Sequence, residues 1–257
     1  MNLTALITGA SSGLGYEFAK LFSNQGYDLI VVARNENKLQ ELKEELSATQ
    51  VTVIPKDLSL PNAAEELYKD IQDKGLTVHT LVNNAGVGLN GEFEQLSLKA
   101  QQDMIQVNIL ALTDLTYHFL PDMKHHANKG HKAGILNIAS TAAFQPGPKM
   151  AVYYASKAYV LSFSEALVDE LAGTGIQVTT LCPGATKTNF FHTAKAEHTK
   201  LTKNTMNPFV VAKAGFEGFM NGKRVIIPGS FNTVGAYAAK FLPRSLASKI
   251  AKNINGT

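Results

Sequence analysis

LTALITGASSGLGYEF, residues 3–18, is the stretch from which the fold can be read. Residues 3–8 form a short, nearly continuous apolar run, the pattern of a strand buried on both faces. Gly9, Gly13 and Gly15 interrupt it with a turn, and 13–25 then carries apolar residues at helical spacing until Gly26 stops it. Glycines at such a turn let the backbone bend sharply and let a pyrophosphate approach closely. The helix that follows offers unpaired N–H groups and a partial positive charge to an anion. A glycine-rich turn is also what any tight strand-to-helix corner needs. The strand before it and the helix after it carry the dinucleotide reading.

The same alternation continues along the chain. Strands are predicted at 29–33, 51–54, 78–82, 135–138, 176–181 and 225–227. Helices are predicted at 36–48, from Pro61 to about 74, at 98–125, 152–172 and 209–220. Alternating strands and helices predict an α/β doubly wound Rossmann fold, with a seven-stranded parallel sheet covered on both faces. No repeat or linker divides the chain, so 1–257 is read as a single dinucleotide-binding domain. Its least regular part, about 185–207, is expected to be a substrate loop.

Composition narrows the function classes. Of 257 residues 45% are apolar, no run approaches the ~20 residues that span a bilayer, and the apolar strand that starts at Leu3 leads to the expectation of no secretion signal. One cysteine, Cys182, rules out an internal disulfide framework and fits a reducing, cytoplasmic setting. A net charge of +3 is too small to predict nucleic-acid binding, but it is unevenly placed. From Gly218 onward there is no Asp or Glu, only Lys223, Arg224, Lys240, Arg244, Lys249 and Lys252. KHHANKGHK, 124–132, reads as an exposed polar loop; with no carboxylate or cysteine arranged around its histidines, no metal site is expected.

Two further stretches carry chemistry. The second strand ends in VVARN, where NAD sites usually place a carboxylate for the ribose hydroxyls. Here stand Ala33 and Arg34, and a guanidinium suits a 2′-phosphate, which favours NADP; a solvated surface arginine is the other reading. VYYASKA, 152–158, sets Tyr153 four residues and Tyr154 three residues before Lys157, so on a helix both lie near the lysine's face. Spacing does not separate them. A tyrosine beside an ammonium is suited to move a proton to or from an alkoxide, because the ammonium favours phenolate.

With these residues in view the chain resembles a short-chain dehydrogenase/reductase of the single-domain type, over at least 3–227. T-G-x-x-x-G-x-G is met by Thr8, Gly9, Gly13 and Gly15, and N-N-A-G by Asn83, Asn84, Ala85 and Gly86. A helix asparagine is met by Asn108, a strand-end serine by Ser140, and Y-x-x-x-K by Tyr153 and Lys157. Pro183-Gly184 and Thr188 follow. The resemblance selects Tyr153 as the acid/base and implies Ser140, Lys157 and Asn108 as its catalytic partners, with Asn108 placing a relay water and Lys157 bonding the nicotinamide ribose. For NADP(H) it implies contacts from Gly9, Ser11, Ser12, Gly13, Leu14, Gly15, Arg34, Asp57, Leu58, Asn84, Ala85, Gly86, Pro183, Gly184, Thr186 and Thr188. A turn-capping role is the rival reading of Asp57.

One departure from the family pattern is His79, where an aspartate often precedes L-V-N-N-A-G; a structural contact near the sheet edge is expected there, away from the catalytic set. The implied function is NADP(H)-dependent interconversion of a carbonyl and a secondary alcohol, on a small, partly apolar substrate. Its walls are expected from 140–152 (Phe144, Pro146, Met150) and 184–207 (Phe190, Phe191, Met206). The rivals are a catalytically silent NADPH sensor or scaffold, and an epimerase or dehydratase. The resemblance also implies that helices 98–125 and 152–172 pair across a twofold axis, giving a homodimer or homotetramer. Finally Leu242, Leu246, Ile250 and Ile254 recur every four residues among basic ones, predicting a basic amphipathic helix over about 241–254. Its apolar stripe is expected to pack on the protein or a partner subunit; contact with an anionic membrane surface is the second reading.

Overall fold

The computed structural model describes residues 2–256. Seven strands run β1 (Thr4–Thr8), β2 (Asp28–Ala33), β3 (Val51–Pro55), β4 (Thr80–Asn83), β5 (Ala133–Ile138), β6 (Ile176–Leu181) and β7 (Val225–Ile226). They pair in parallel in the order β3-β2-β1-β4-β5-β6-β7. The chain builds outward from β1 to β3, then returns to β4 on the other side of β1. That reversal opens a crevice above the carboxyl ends of β1 and β4, the place where such sheets bind ligands.

Helices α1 (Gly13–Asn24), α2 (Glu36–Glu45) and α8 (Pro208–Met220) cover one face. The other is covered by α3 (Ala63–Asp73), α5 (Leu112–Asn128) and α6 (Ala151–Glu170). Strand side chains alternate between the two cores, with Ala5, Ile7 and Val31 meeting Phe18, Phe22 and Phe216, and Leu6, Ile30 and Val32 meeting Leu67, Ile71 and Phe119. The Phe22 and Phe216 rings meet edge to face at 4.9 Å.

Several elements differ from expectation. Pro61 does not open α3: Asn62 takes a left-handed conformation with φ 62° and the helix begins at Ala63. The long helix expected at 98–125 is α4 (Leu98–Ile105), a widened π-turn (Gln106–Ala111) and α5. Such insertions recur at functional sites, and this one carries Asn108. The segment 188–207 is anchored by the short helix α7 (Phe190–Thr193), a 3₁₀ turn (Lys200–Lys203) and a bridge between Thr186 and Met206.

An unexpected helix, α9 (Ser230–Phe241), precedes the predicted basic helix α10 (Arg244–Asn255). In α10 the expected stripe does not form the buried face: Leu242 lies before the helix, and Leu242 and Ile254 are only half-buried. Ala247, Ala251 and Asn255 are buried, whereas Leu246 and Ile250 are exposed. The helix is rotated because close packing suits small residues and Asn255 has three partners inside.

The expected polar loop at 124–132 is also different. His125 and His126 belong to the end of α5, and the His126 and His131 rings pack 4.7 and 5.8 Å from that of His79. His79 is buried at the amino-terminal rim of the central strands, not at a sheet edge, and its Nδ1 accepts a bond from the Thr4 amide at 3.1 Å. Among the described residues no helix is long and apolar enough to cross a membrane.

Candidate active site

The glycine turn sits at the crevice. Gly9 and Gly13 take φ of +68° and +58°, conformations that side chains resist. At Gly15 the constraint is contact, since a Cβ there would lie 2.3 Å from the Gly9 carbonyl oxygen. Asn84 props the turn from below, its Nδ2 donating to the carbonyls of Thr8 at 2.8 Å and Gly9 at 3.2 Å. Thr8 Oγ1 accepts from the amides of Asn84 and Ala85. Asn84 therefore shapes the cradle with its side chain.

The Ser12 side chain does not cap α1, and the first intrahelical bond runs from Tyr16 N to the Ser12 carbonyl. The leading N–H groups of α1, at Gly13, Leu14 and Gly15, are thus aimed at the crevice without an intrahelical acceptor. Ser11 is half-buried and Ser12 exposed beside them. This cradle, which any Cβ at Gly15 would fill, fits a dinucleotide pyrophosphate. Thr188 closes on it from the far side, 3.0 Å from where a Gly13 Cβ would lie.

At the end of β2, Arg34 is exposed and forms no ion pair among the described residues. Asp57 Oδ1 accepts from the Ser59 amide at 3.0 Å and hydroxyl at 2.7 Å, so the carboxylate caps its own turn. Burial works against its charge, but the Ser59 bonds and Arg34 hold it below its usual range. Leu58 turns its side chain into the core. Thr186 is buried and bonds the Gly184 carbonyl at 3.0 Å, and the Pro183 carbonyl accepts from the Thr141 amide at 2.8 Å. Gly184 lacks room for a Cβ because Asn232 of α9 lies on it.

Deeper in the crevice the expected catalytic residues come together. Ser140 lies two residues beyond β5 in extended conformation, its Oγ accepting from the Ala142 amide at 3.1 Å and donating to the Pro183 carbonyl at 3.4 Å. Lys157 is buried, with Nζ donating to the Ile138 carbonyl at 2.9 Å and lying 5.9 Å from the Tyr153 ring centre. Burial lowers the ammonium to about 8. Asn108 Oδ1 accepts from the Val87 amide at 2.9 Å, and its Nδ2 donates to the Val87 carbonyl and to Ser156 Oγ. Gly86 is the exposed floor between them: a Cβ there would stand 3.3 Å from Lys157 Nζ and 3.4 Å from Asn108 Oδ1.

The two tyrosines part company. Tyr153 is half-buried under the Phe190 ring at 5.2 Å. Burial pushes its phenol up to about 12, against the pull of a hydrogen bond from Ser140. That direction is opposite to the phenolate expected from a nearby ammonium, because desolvation of the phenol dominates and Lys157 is turned to the Ile138 carbonyl. Tyr154 is buried and donates to Asn255 Oδ1 at 3.0 Å, holding α10 in place.

One contributor is not evident from the sequence, and two residues named from it take other parts. Ser156, fully buried, links Asn108 to the Tyr153 carbonyl at 2.7 Å; a polar residue on the buried face between Tyr and Lys is its signal. Phe190, expected only as wall, packs on Tyr153 itself and needs Gly88 beneath it, since a Cβ there would come within 2.5 Å of the ring. Asn83 turns away into a buried network with Asn137 and Thr116. Of the other expected wall residues, Phe191 and Phe144 are buried among core neighbours, so Phe190 is the aromatic nearest the phenol. Cys182 is fully buried, its thiol pushed up to about 12 by burial.

Comparison with known proteins identifies the family. A sulfoacetaldehyde reductase 2 of Chromohalobacter salexigens is 38% identical over 192 residues, 74% of this chain and 75% of the relative. An uncharacterised oxidoreductase of Staphylococcus epidermidis is 34% identical over 184 residues, 72% of this chain and 78% of its own. Among solved structures, a short-chain dehydrogenase from Sphingobium yanoikuyae in complex with NADPH superposes with a TM-score of 0.80 at 30% identity, covering 93% of this chain and 94% of that one. A bulky-bulky ketone specific alcohol dehydrogenase from Comamonas testosteroni gives 0.77 at 29% identity over 94% and 93%. The short chain dehydrogenase family profile matches residues 3–199, a span that holds the glycine turn, Asn108, Ser140, Tyr153 and Lys157, and the chain is a member of the short-chain dehydrogenase/reductase family of oxidoreductases.

Proposed function

We propose that the protein is an NADP(H)-dependent oxidoreductase that interconverts a carbonyl and a secondary alcohol, with Tyr153 as acid/base. The convergence of Tyr153 and Ser140 at one mouth, with Lys157 and Asn108 behind them at Gly86, carries this reading. The α1 amino terminus and the glycine turn hold the pyrophosphate, Arg34 the 2′-phosphate, and Lys157 the nicotinamide ribose. When bound, the nicotinamide supplies or accepts the hydride and, when oxidised, adds a positive charge that favours phenolate.

Ser140 donates to the substrate oxygen and orients it. Tyr153, kept protonated by burial, gives its proton to the developing alkoxide, which suits the reductive direction near neutral pH. Lys157, charged below about 8, steadies the phenolate left behind. Both amide hydrogens of Asn108 are engaged and its Oδ1 accepts one bond, which fixes the π-turn beside Lys157, where Asn108 would place a relay water between Lys157 and solvent, as in the family it belongs to.

Two relatives are named for sulfoacetaldehyde and for bulky ketones, which makes aldehydes and ketones the first substrates to test. NADPH oxidation over a panel of ketones, aldehydes and 3-oxoacyl thioesters tests the proposal. A silent NADPH sensor binds the cofactor and turns over none of them. The proposed setting is the cytoplasm, in keeping with the single buried thiol.

NADPH is expected to bind at least ~10-fold more tightly than NADH, the yield of one charge-assisted contact of about 1.5–3 kcal/mol. Arg34→Ala should erode that preference in titrations followed by cofactor fluorescence. Equal affinities in the unmutated protein would refute the role of Arg34.

Leu98, Leu110 and Tyr117 on the α4–α5 segment are exposed, and Tyr159 and Phe163 of α6 stack half-buried beside them. We expect these helices to pair about a twofold axis in a homodimer or homotetramer. Light scattering at micromolar concentration checks this, and a monomer there counts against it.

A further inference from the structure

The last two helices are built inside out. α9 rests on the body through buried Ala236 and through Asn232, which lies on Gly184 and donates to the Pro228 carbonyl at 2.8 Å. α10 rests on it through Ala247, Ala251 and Asn255. Asn255 receives the Tyr154 hydroxyl at 3.0 Å, donates to the Pro148 carbonyl at 3.0 Å, and accepts at its own carbonyl from Asn90. Small residues and amides thus face inward, and the large apolar side chains face out.

Phe231 is 88% exposed and Phe241 87%, and Val234, Tyr237, Leu246 and Ile250 are exposed as well. On α9 the spacing of Phe231, Val234, Tyr237 and Phe241 puts all four within one stripe. A folded chain gains nothing from presenting such a stripe to water, and contiguous exposed apolar surface marks an interaction site.

The charges around it indicate the partner. Lys240, Arg244, Lys249 and Lys252 form no ion pair among the described residues, and no Asp or Glu occurs from Gly218 onward. A second copy seated isologously on this face would set these cations against their own equivalents. An anionic bilayer complements both features, taking the apolar side chains into the headgroup–acyl boundary and the cations onto lipid phosphates.

We propose that α9 and α10 dock this protein on the surface of an anionic lipid membrane. α10 also seats on Tyr154 and bonds the 3₁₀ turn through Lys200 to Asn253 at 2.7 Å, so docking holds the bilayer beside the loop that covers Tyr153.

Co-sedimentation tests this without any turnover, so its outcome is separate from that of the proposed chemistry. The full chain is mixed with vesicles of phosphatidylglycerol and phosphatidylcholine, or of phosphatidylcholine alone. Pelleting with the anionic vesicles is expected in ~50 mM salt, with release in ~500 mM as screening shortens the reach of the charges. The double change Phe231→Ser with Phe241→Ser, at highly exposed side chains, and separately Lys249→Glu with Lys252→Glu, should each weaken partitioning about 10-fold or more. No pelleting of the intact chain in low salt overturns the proposal, as does undiminished binding by both variants. If instead the serine variant loses mass by light scattering while the intact chain ignores vesicles, the face belongs to a second copy.

Discussion

Replacing Tyr153 by phenylalanine is expected to lower the rate of carbonyl reduction by about 10²–10⁴-fold, the usual contribution of a positioned general acid. NADPH affinity should stay within a few fold, because the ring remains and only the hydroxyl is lost. Tyr154→Phe should retain most of the activity. Its hydroxyl reaches Asn255 of α10, not the mouth of the site. What it should lose is stability, by about 1 kcal/mol for a buried hydrogen bond, and somewhat more because Asn255 Oδ1 is left unpartnered. Steady-state assays with a fluorescence titration of NADPH, together with urea unfolding, separate the two effects. Full activity in Tyr153→Phe, or collapse of activity in Tyr154→Phe, would reverse the assignment. The unmutated enzyme should also reduce substrate across neutral pH without an acid-side optimum from Tyr153, since a phenol near 12 keeps its proton throughout that range.

The second large effect belongs to His79 and to acid. Burial first, then the neighbouring His126 and His131, lowers its imidazole from 6.5 to about 4. The folded state therefore holds His79 neutral where the unfolded chain would protonate it. This contribution to stability is complete above pH 6.5 and is lost as pH falls from 6.5 toward 4, about 1.4 kcal/mol for each unit of pH. The total approaches about 3 kcal/mol. Other groups at this corner are His126, itself lowered by burial and by His125, and Asp122, which pulls His126 the other way. His79→Asn isolates the effect, because an asparagine Oδ1 can accept the Thr4 amide as Nδ1 does. Between pH 7 and pH 4.5 the unmutated protein should lose about 2–3 kcal/mol more than the variant in urea titrations. Equal losses would show that His79 does not titrate with folding.

The order of the motifs, and the periods of the runs between them, are enough for the sheet. Buried parallel strands must be apolar on both faces, and helices covering them must be amphipathic, so both patterns lie in neighbouring residues. Glycines and prolines likewise act locally, which is why the turn at Gly9–Gly15 is recognisable from its flanks. Where sequence and structure differ, the deciding partner lies far along the chain. Tyr153 and Tyr154 are equivalent by helical spacing, and Asn255 separates them from 101 residues away. The direction of the Tyr153 shift depends on burial under Phe190, which no local pattern encodes. His79 is incidental in the sequence and becomes a buried base only where His126 and His131 close over it. The stripe of α10 is present as its spacing predicts, but the face one residue further round the helix is the one that is buried, leaving Leu246 and Ile250 exposed. Periodicity shows which residues share a face, whereas the close fit of Ala247 and Ala251 and the three partners of Asn255 decide which face turns inward. The sequence alone determined the architecture and the set of chemical groups at the crevice. The tertiary structure decided their protonation, their hydrogen-bond partners and the face left to the solvent, because desolvation and packing arise only when distant segments meet.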